Sequence, residues 1–342
     1  MKFFEEPQVG RLTSSPVITR CASNPILKAA DVPYKSDLVL NAGVTRFKGR
    51  YVMVFRNDIR TDEYTVREGV SLGLAHSEDG IEWEVEPKPC FDSSFGAEKG
   101  EFINTYDPRL TVIDGRCYMT FGMDTRHGVR GGIAVTDDFE KFEVLSVAAP
   151  DNRNFVLFPE KIGGKYVRLE RPFPIYGRPG YPERFDIWIS DSPDLVYWGN
   201  PELLLGVEDV PFSNQKLGAG PPPVKTSKGW LTVFHASDFD ATRGRDGFEL
   251  TWKKRYSAGV MLLDLADPRK VVGMSKKPLL APEALYETTE GYRNNVVFPT
   301  GMILEKNQEV KIYYGAADTC MCLASAQLHD LIALCSSPRT GD

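Results

Sequence analysis

Several basic residues of this 342-residue chain stand beside apolar, β-rich runs, where they could share one ligand. The set is Arg153, Arg171, Lys216 and His235, joined by the hydroxyl of Tyr256. Arginine forks and a lysine ammonium are common means of binding phosphate. We therefore interpret these residues as cations around one small dianion. The alternative is that each is an ordinary surface base, and Arg171 could equally pair with Glu170 or Glu183.

One acid also draws attention, because Asp107 lies between a tyrosine and a proline in the stretch INTYDPRLTV, residues 103–112. Aspartate before proline is common in turns. The local sequence therefore predicts a turn that leads into a strand, and the surrounding fold decides whether the acid is also held for chemistry. Glycines in the later stretch KLGAGPPP, from Lys216 to Pro223, could let the backbone approach a ligand closely.

An internal repeat organises these candidates. A polar turn and a strand rich in Tyr, Val and Phe recur as GRYVMVFR, GRCYMTFG, GKYVRLER, GWLTVFHA and VKIYYGAAD, each after another short apolar strand. Recurrence at a spacing of about 50 to 80 residues is typical of β-propellers. We predict an all-β chain, residues 1–342 forming a single five-bladed β-propeller, with a large β-sandwich as the alternative. The predicted inner-strand pairs are 40–56, 106–122, 154–171, 218–236 and 295–318.

In a propeller the innermost strands line a central channel, so polar residues at their ends converge. The residues in that position are Asn41, Arg56, Asp58, Asn104, Asp107, Arg109, Arg153, Asn154, Arg171, Lys216, His235 and Asp318. Together they predict one pocket that contains several cations and a few carboxylates.

Composition narrows the class of protein. The formal net charge of -6 gives no reason to expect nucleic acid or an anionic membrane as a partner. No apolar run approaches the ~20 residues that span a bilayer, and MKFFEEPQVG has acids where an export signal needs an apolar core. The six cysteines lack metal-ligand spacing, which predicts reduced thiols in a cytoplasmic protein without a metal.

The motifs YDPRLTV, NRNFVLFP, ERP, KLGAGPPPV, GWLTVFHA, NNVVFP and IYYGAADT resemble glycoside hydrolase family 130 and follow the family order from about Asn41 to Asp318. The resemblance implies a five-bladed propeller and an inverting β-mannoside phosphorylase, with Asp107 as the general acid. It implies a phosphate-binding set of Arg153, Asn154, Arg171, Lys216, His235 and Tyr256. The sugar-binding positions are Asn41, Arg56, Asp58 and Asp318, with Asn104 beside them.

The implied mechanism explains why one carboxylate suffices. An inverting glycosidase normally needs an acid and a second carboxylate that activates water. A phosphorylase needs only the acid, since phosphate itself attacks the anomeric carbon. The implied partners are a β-mannoside oligosaccharide and inorganic phosphate as co-substrate, with no cofactor and no metal. The products are α-mannose 1-phosphate and a shortened acceptor, and a homo-oligomer is possible by the same analogy.

Three other functions stay open on the residues alone. They are a β-mannosidase that uses water, a furanosidase-like hydrolase with Asp58 as base, and a non-catalytic sugar-binding propeller. The linkage also stays open between β-1,4 to glucose, mannose or N-acetylglucosamine and β-1,2. The loops Gly122–Gly132 and Phe173–Arg184 depart from the pattern that the resemblance implies, and we expect them to help choose the acceptor. The charged segment Asp238–Gly259 is expected to be a solvated loop.

Overall fold

The computed structural model describes residues 9–60, 67–95, 102–174, 184–243 and 252–335. The strands, in chain order, are β1 (Thr19–Arg20), β2 (Leu38–Phe47), β3 (Arg50–Arg60), β4 (Arg67–Ser77), β5 (Glu84–Val85), β6 (Asn104–Ile113), β7 (Arg116–Thr125), β8 (Gly128–Thr136), β9 (Glu143–Val147), β10 (Asn152–Leu157), β11 (Tyr166–Pro172), β12 (Ile187–Ser192), β13 (Gly199–Leu205), β14 (Lys216–Ala219), β15 (Val224–Thr226), β16 (Gly229–Phe239), β17 (Lys254–Leu263), β18 (Val271–Met274), β19 (Val297–Leu304), β20 (Glu309–Ala316) and β21 (Cys320–Gln327). The α-helices are α1 (Leu285–Thr288) and α2 (Leu328–Leu334).

Across the described residues these strands form five antiparallel sheets, which confirms the predicted five-bladed β-propeller. Four sheets follow the chain: β2 to β5, β6 to β9, β10 to β13, and β14 to β18. The fifth has the order β1-β21-β20-β19. The N-terminal strand β1 therefore completes the last blade, a closure that leaves the ring without a free end.

A buried carboxylate secures that closure. Arg20 of β1 donates from Nε and Nη2 to the two oxygens of Glu287, each at 2.8 Å. The Tyr314 hydroxyl, on β20, donates to the same carboxylate at 2.8 Å. Glu287 is fully buried, so the pairing satisfies a charge that would be costly to bury alone. The contact lies at the blade's periphery and has a structural role.

The hydrophobic core lies between neighbouring blades. Val54 and Leu72 of the first blade, for example, pack in one cluster with Met119 and Phe121 of the second. Alternation along each strand directs apolar side chains toward the next sheet. At Gly43 on β2, a Cβ atom would lie 2.9 Å from the Leu110 backbone nitrogen on β6, so glycine allows these inner strands to approach.

The fourth blade departs from the others at its inner edge. Both β14 and β15 pair with β16, and residues 220–223 between them, with the sequence GPPP, belong to neither strand. Proline has no backbone N–H, so it cannot contribute a hydrogen bond to the ladder. The interruption ends β14 three residues beyond Lys216, near the channel.

Candidate active site

Three innermost strands carry the same irregularity at the channel. The strand register shifts between Leu40 and Gly43, between Tyr106 and Arg109, and between Arg153 and Val156. In each bulge one residue has a left-handed backbone: Asn41 at φ 49°, Asp107 at φ 52° and Asn154 at φ 59°. Asn and Asp tolerate this conformation better than other non-glycine residues. A bulge re-aims a side chain, so the fold presents comparable polar groups from successive blades.

The carboxylate of Asp107 is held by two neighbouring side chains of the first blade. Asn41 Nδ2 donates to its Oδ1 at 2.9 Å, and Arg56 Nη1 donates to the same atom at 3.2 Å. Burial acts to raise the pKa of Asp107, but the charges of Arg56 and Arg109 and the Asn41 hydrogen bond outweigh it. The net pKa lies below the ordinary aspartate value, so this acid is ionised at neutral pH in the free protein.

Asp58 lies behind Arg56 and has no exposed surface. Its carboxylate accepts a fork from Arg56, at 2.6 Å from Nε and 2.8 Å from Nη2, and a further bond from Arg60 at 2.9 Å. The structure thus places this predicted sugar-binding residue where it fixes the direction of Arg56. A bidentate pair of this kind gives geometric specificity as well as energy.

Asp318 is a second carboxylate near Asp107. Arg293 Nη1 donates to its Oδ2 at 3.1 Å, and its φ of 49° is also left-handed. Burial is the main cause that raises its pKa above the ordinary value, and the charge of Asp107 adds to that effect. The charges of Arg293 and Arg56 act to lower this pKa, but each has a smaller effect than burial. The two carboxyl groups therefore differ in protonation tendency.

Asn104 lies at the start of β6 and contacts a different acid. Its Nδ2 donates to Asp124 Oδ2 at 3.2 Å, and the Tyr106 hydroxyl donates to the other oxygen at 2.8 Å. Asp124 belongs to the predicted loop Gly122–Gly132, which forms the β7–β8 hairpin. Asn104 is therefore linked to the hairpin rather than directly to Asp107.

The fourth blade brings three of the predicted phosphate-binding residues to one face. Lys216, Ser237 and Tyr256 are paired across β14, β16 and β17, and His235 lies two residues before Ser237. Because alternate residues of a strand share a face, Lys216, His235 and Tyr256 point the same way.

At Gly218 a Cβ atom would lie 2.3 Å from the His235 ring. This glycine of KLGAG thus makes room for the imidazole, whereas the sequence suggested that it would make room for a ligand.

His235 is fully buried and differs from the expected fourth cation. Its Nε2 lies 3.4 Å from Asn154 Nδ2 and 3.3 Å from Arg171 Nη1. Burial is the main cause that lowers its pKa well below the ordinary value, followed by the charges of Arg171 and Arg109. The neutral ring accepts at Nε2 from these donors, so its proton lies on Nδ1. His235 therefore positions Asn154 and Arg171 without adding charge.

The remaining cations repel one another. Burial, with the charge of Arg153, lowers the pKa of Arg171 to about 9. Burial also lowers the pKa of Lys216 to about 7, with Lys254, Arg171 and Arg153 contributing in that order. In the described part of the chain, no carboxylate forms an ion pair with Arg153, Arg171 or Lys216. An anion that binds among them relieves this repulsion.

The alternative partners of Arg171 do not compete within the described residues. Glu170 instead accepts from Arg168 Nη2 at 2.7 Å and from Asn152 Nδ2 at 3.0 Å. Glu183 lies outside the described residues, as do positions 175–183 of the predicted acceptor loop and positions 244–251 of the charged segment. The described ends of the charged segment belong to strands, because β16 ends at Phe239 and β17 begins at Lys254.

Sequence reasoning placed Arg109 at the channel without giving it a role, and it missed Tyr106 and Lys254; the three residues connect the acid with the basic cluster. Arg109 is buried and donates from Nε to the Gly220 carbonyl at 2.7 Å and from Nη1 to the Asp107 carbonyl at 2.8 Å, so it ties the second blade to the fourth. The Tyr106 ring lies 5.3 Å from the Arg56 guanidinium carbon and 5.9 Å from that of Arg153. Their places beside Asp107 in YDPR were the available signal. Lys254, which lies against Lys216, had none beyond its charge.

Other classes of site are not evident. Across the described residues, no group of three or more His, Cys, Asp or Glu side chains is arranged to hold a metal ion. None of the helices described is long and apolar enough to span a bilayer. All six cysteines are free thiols.

The channel of this five-bladed propeller thus sets one ionised acid beside a cluster of cations that have no described carboxylate partner. The chain belongs to glycoside hydrolase family 130: the family's model, described as beta-1,4-mannooligosaccharide phosphorylase, matches residues 6–337. Membership confirms the resemblance read from the motifs.

Known relatives agree with this assignment. The chain is 33% identical over 335 residues to a beta-1,4-mannooligosaccharide phosphorylase of Ruminococcus albus, covering 95% of this chain and 90% of the relative. It is 32% identical over 326 residues to a 1,2-beta-oligomannan phosphorylase of a Thermoanaerobacter species, covering 94% and 98%. The solved structure of a beta-1,2-mannobiose phosphorylase from Listeria innocua, in complex with its disaccharide, superposes with a TM-score of 0.75 at 26% identity, covering 93% of this chain and 99% of that one.

Proposed function

We propose that this chain is an inverting β-mannoside phosphorylase, which transfers a mannosyl group to inorganic phosphate. The observation that carries the proposal is the basic cluster beside Asp107, in which Arg171 is buried and Arg153 and Lys216 are half-buried, all without a described carboxylate partner. Buried charges that lack a counter-ion are costly and are ordinarily paired. A dianion supplies that pairing, and a neutral sugar does not.

Family relatives named for phosphorolysis of both β-1,4 and β-1,2 mannosides support the class of reaction. The mannosyl unit is proposed to bind at Asn41, Arg56 and Asp318, with Asp58 orienting Arg56 and Asn104 near the mouth. Phosphate is proposed to bind at Arg153, Asn154, Arg171, Lys216 and Tyr256, with His235 positioning two of them. The acceptor sugar and the linkage are not chosen by these residues.

The protonation of Asp107 has to change during the reaction. A general acid must hold a proton, yet the surrounding cations keep this group ionised in the free protein. Phosphate bound at Arg153 offsets part of the positive field, so the pKa of Asp107 rises when the co-substrate arrives. The acid is thereby prepared only when the nucleophile is present.

The bond changes balance without a second carboxylate. An oxygen of hydrogen phosphate attacks the anomeric carbon on the face opposite the leaving oxygen, and the glycosidic C–O bond breaks. The proton of Asp107 passes to the leaving oxygen, directly or through a sugar hydroxyl as the family resemblance implies. The product is α-mannose 1-phosphate, which returns its extra proton to the Asp107 carboxylate. Inversion follows because there is a single displacement.

Hydrolysis is the second candidate, and Asp318 is the observation that favours it. This carboxyl group interacts electrostatically with Asp107 and has the raised pKa described above. As a base it could activate water. Its ion pair with Arg293 at 3.1 Å and the basic cluster beside Asp107 favour phosphorolysis instead.

The test is to incubate the protein with β-1,4- and β-1,2-mannobiose, with and without inorganic phosphate, and to measure mannose 1-phosphate and free mannose. The proposal predicts mannose 1-phosphate only when phosphate is present. Release of free mannose at the same rate without phosphate identifies a hydrolase. No turnover of either kind across several β-mannosides identifies a sugar-binding propeller.

We also propose a cytoplasmic setting for the reaction. The free thiols fit a cytoplasmic protein, where inorganic phosphate is available. No partner among nucleic acids or membranes is expected, and a homo-oligomer remains a prediction.

A further inference from the structure

Two phenylalanines stand at the two ends of the connection between β11 and β12, next to the basic cluster. The rings of Phe173 and Phe185 meet edge to face, with centroids 5.3 Å apart. The backbone of Phe185 is fixed to β14: its carbonyl accepts from the Leu217 N–H at 2.7 Å, and it forms a parallel bridge with Lys216. We name this pair the phenylalanine wall.

Each of the three cations lies against this wall. The Lys216 ammonium is 4.3 Å from the centroid of Phe185, and the Arg171 guanidinium carbon is 5.5 Å from the same ring. The Arg153 guanidinium carbon is 5.4 Å from the centroid of Phe173. All three distances lie within the range of a cation–π contact.

Two other buried arginines of the chain, Arg168 and Arg60, are held in a different way. Arg168 lies over the ring of Phe155 at 3.9 Å, but it also forms an ion pair with Glu170 at 2.7 Å. Arg60 lies over Tyr292 at 4.4 Å and pairs with Asp58 at 2.9 Å. There the carboxylate neutralises the cation. At the phenylalanine wall the described partners of the cations are aromatic rings and neutral acceptors, namely His235 Nε2, the Leu217 carbonyl and the Tyr106 hydroxyl, and none of them is a carboxylate.

That difference has a chemical consequence. An aromatic face attracts a cation without adding negative charge. It also leaves the N–H donors in the plane of a guanidinium free to bond to another group. The cations therefore stay in place with donors available for a ligand; Arg171 Nε and Arg153 Nε are buried without a described hydrogen-bond partner. The same rings place apolar surface beside the three cations.

We propose that Phe173 and Phe185 determine the specificity for phosphate over water, by holding the three cations unneutralised and by keeping that side of the pocket dry. The inference rests on the proposed phosphorylase function. It assigns to this chain a specificity element at the two ends of the connection between β11 and β12. The dianion replaces the missing carboxylates, while water gains nothing from the cations.

The test compares Phe185→Leu with the wild-type enzyme. Leucine keeps an apolar group of similar reach but removes the aromatic face. The phosphate KM is expected to rise about 5- to 30-fold, the range that a desolvated cation–π contact implies, with the KM for the mannoside unchanged. The ratio of free mannose to mannose 1-phosphate is expected to rise as well.

A matched control is Phe95→Leu, which removes a ring stacked on Phe91 at 4.6 Å in another part of the core. Circular dichroism shows whether Phe185→Leu is folded. If it is not, Phe173→Leu is the second variant of the phenylalanine wall. It should raise the phosphate KM through Arg153.

The possible results distinguish a failure of the role proposed for the phenylalanine wall from a failure of the proposed phosphorylase activity. A phosphate KM and product ratio in both wall variants equal to those of Phe95→Leu overturn the inference while leaving the phosphorylase intact. An equal rise of both KM values, or a fall of kcat alone, also overturns it by indicating a structural role. A wild-type enzyme that forms no mannose 1-phosphate overturns the proposed function itself.

Discussion

The two sides of the channel treat charge in opposite ways. On the acid side, Arg56 and Arg60 face Asp58 and Asp107, and each carboxylate accepts at least one short bond from a guanidinium. On the basic side, Arg171 and its neighbouring cations meet aromatic rings and one another. The first arrangement is complete in itself. The second lacks a described carboxylate counter-ion, and for this reason we propose that a co-substrate supplies the negative charge.

The difference also explains how the acid can be regulated by its neighbours. Asp107 belongs to the paired side, but Arg109 and Arg153 extend the field of the basic side to it. We therefore expect phosphate bound at the basic side to raise the pKa of Asp107.

Replacing the acid should have the largest effect. Asp107→Asn keeps the shape of the side chain and its contact with Asn41 or Arg56, but it cannot deliver a proton. Since general acids contribute typically 10²- to 10⁴-fold, we expect kcat for phosphorolysis to fall by about that range. Stopped assays of mannose 1-phosphate measure it. Asp137→Asn, at an exposed pair with Arg116, is the control, and equal activity in the two variants would show that the acid is misassigned.

Removing a basic-side cation should act on phosphate rather than on the sugar. Arg171→Ala loses charged hydrogen bonds worth about 1.5–3 kcal/mol, so the phosphate KM should rise by about 10- to 100-fold. The KM for the mannoside should change little. Initial rates over a grid of both substrates give the two values. Lys225→Ala, at an exposed pair with Glu160, serves as control. An unchanged phosphate KM removes Arg171 from the phosphate site.

Replacing a charged residue should change the free energy of unfolding in opposite directions on the two sides. Asp58→Asn breaks a buried pair and leaves Arg56 and Arg60 unbalanced, so it should lower the free energy of unfolding by about 3 kcal/mol. Lys216→Met removes a repelled, partly desolvated charge, so without phosphate it should raise that free energy by about 1 kcal/mol. Urea unfolding measures both. Destabilisation of similar size in both variants would contradict the contrast between the sides.

The smallest effect concerns pH. The pKa of Lys216 is about 7 in the free protein, so its positive charge is present below that pH and is lost as the pH rises through it. The groups that lower this pKa from neighbouring strands are Lys254, Arg171 and Arg153, after burial. Lys254→Met removes one repulsion, so the charge of Lys216 should persist to higher pH.

The measurement is the ratio of phosphate KM in Lys254→Met to that in the wild type, from pH 6 to pH 8.5. The ratio cancels the titration of phosphate itself. It should exceed one at pH 6, where a cation has been lost, and fall several-fold as the pH rises. A constant ratio would show that Lys254 does not act on Lys216.

Sequence reasoning reached the fold because the repeat is local. GRYVMVFR and its counterparts are strands in the structure, and each lies in its own blade. The placement of Asp107 beside Asn41 and Arg56 was also foreseeable, because propeller blades bring the ends of inner strands together. Asn and Asp at the bulges were a usable signal, since these types favour a left-handed backbone.

The features that sequence reasoning missed depend on three-dimensional contacts, both between blades and within one blade. The neutral state of His235 follows from burial beside Arg171, and Asp58 is fully buried, where it accepts a hydrogen bond from Arg56 of its own strand. The phenylalanine wall requires two residues twelve apart to meet around a loop. No periodicity encodes such contacts, so the charge balance of each side became visible only in three dimensions.

The most direct test of the central claim, that phosphate does the work of a second carboxylate, follows the attacking oxygen. The enzyme is supplied with a β-mannobiose and phosphate labelled with ¹⁸O, and the product is examined by ³¹P and ¹³C NMR. The account predicts α-mannose 1-phosphate whose bridging oxygen carries the label from phosphate. Unlabelled free mannose, formed at the same rate whether or not phosphate is present, would contradict it.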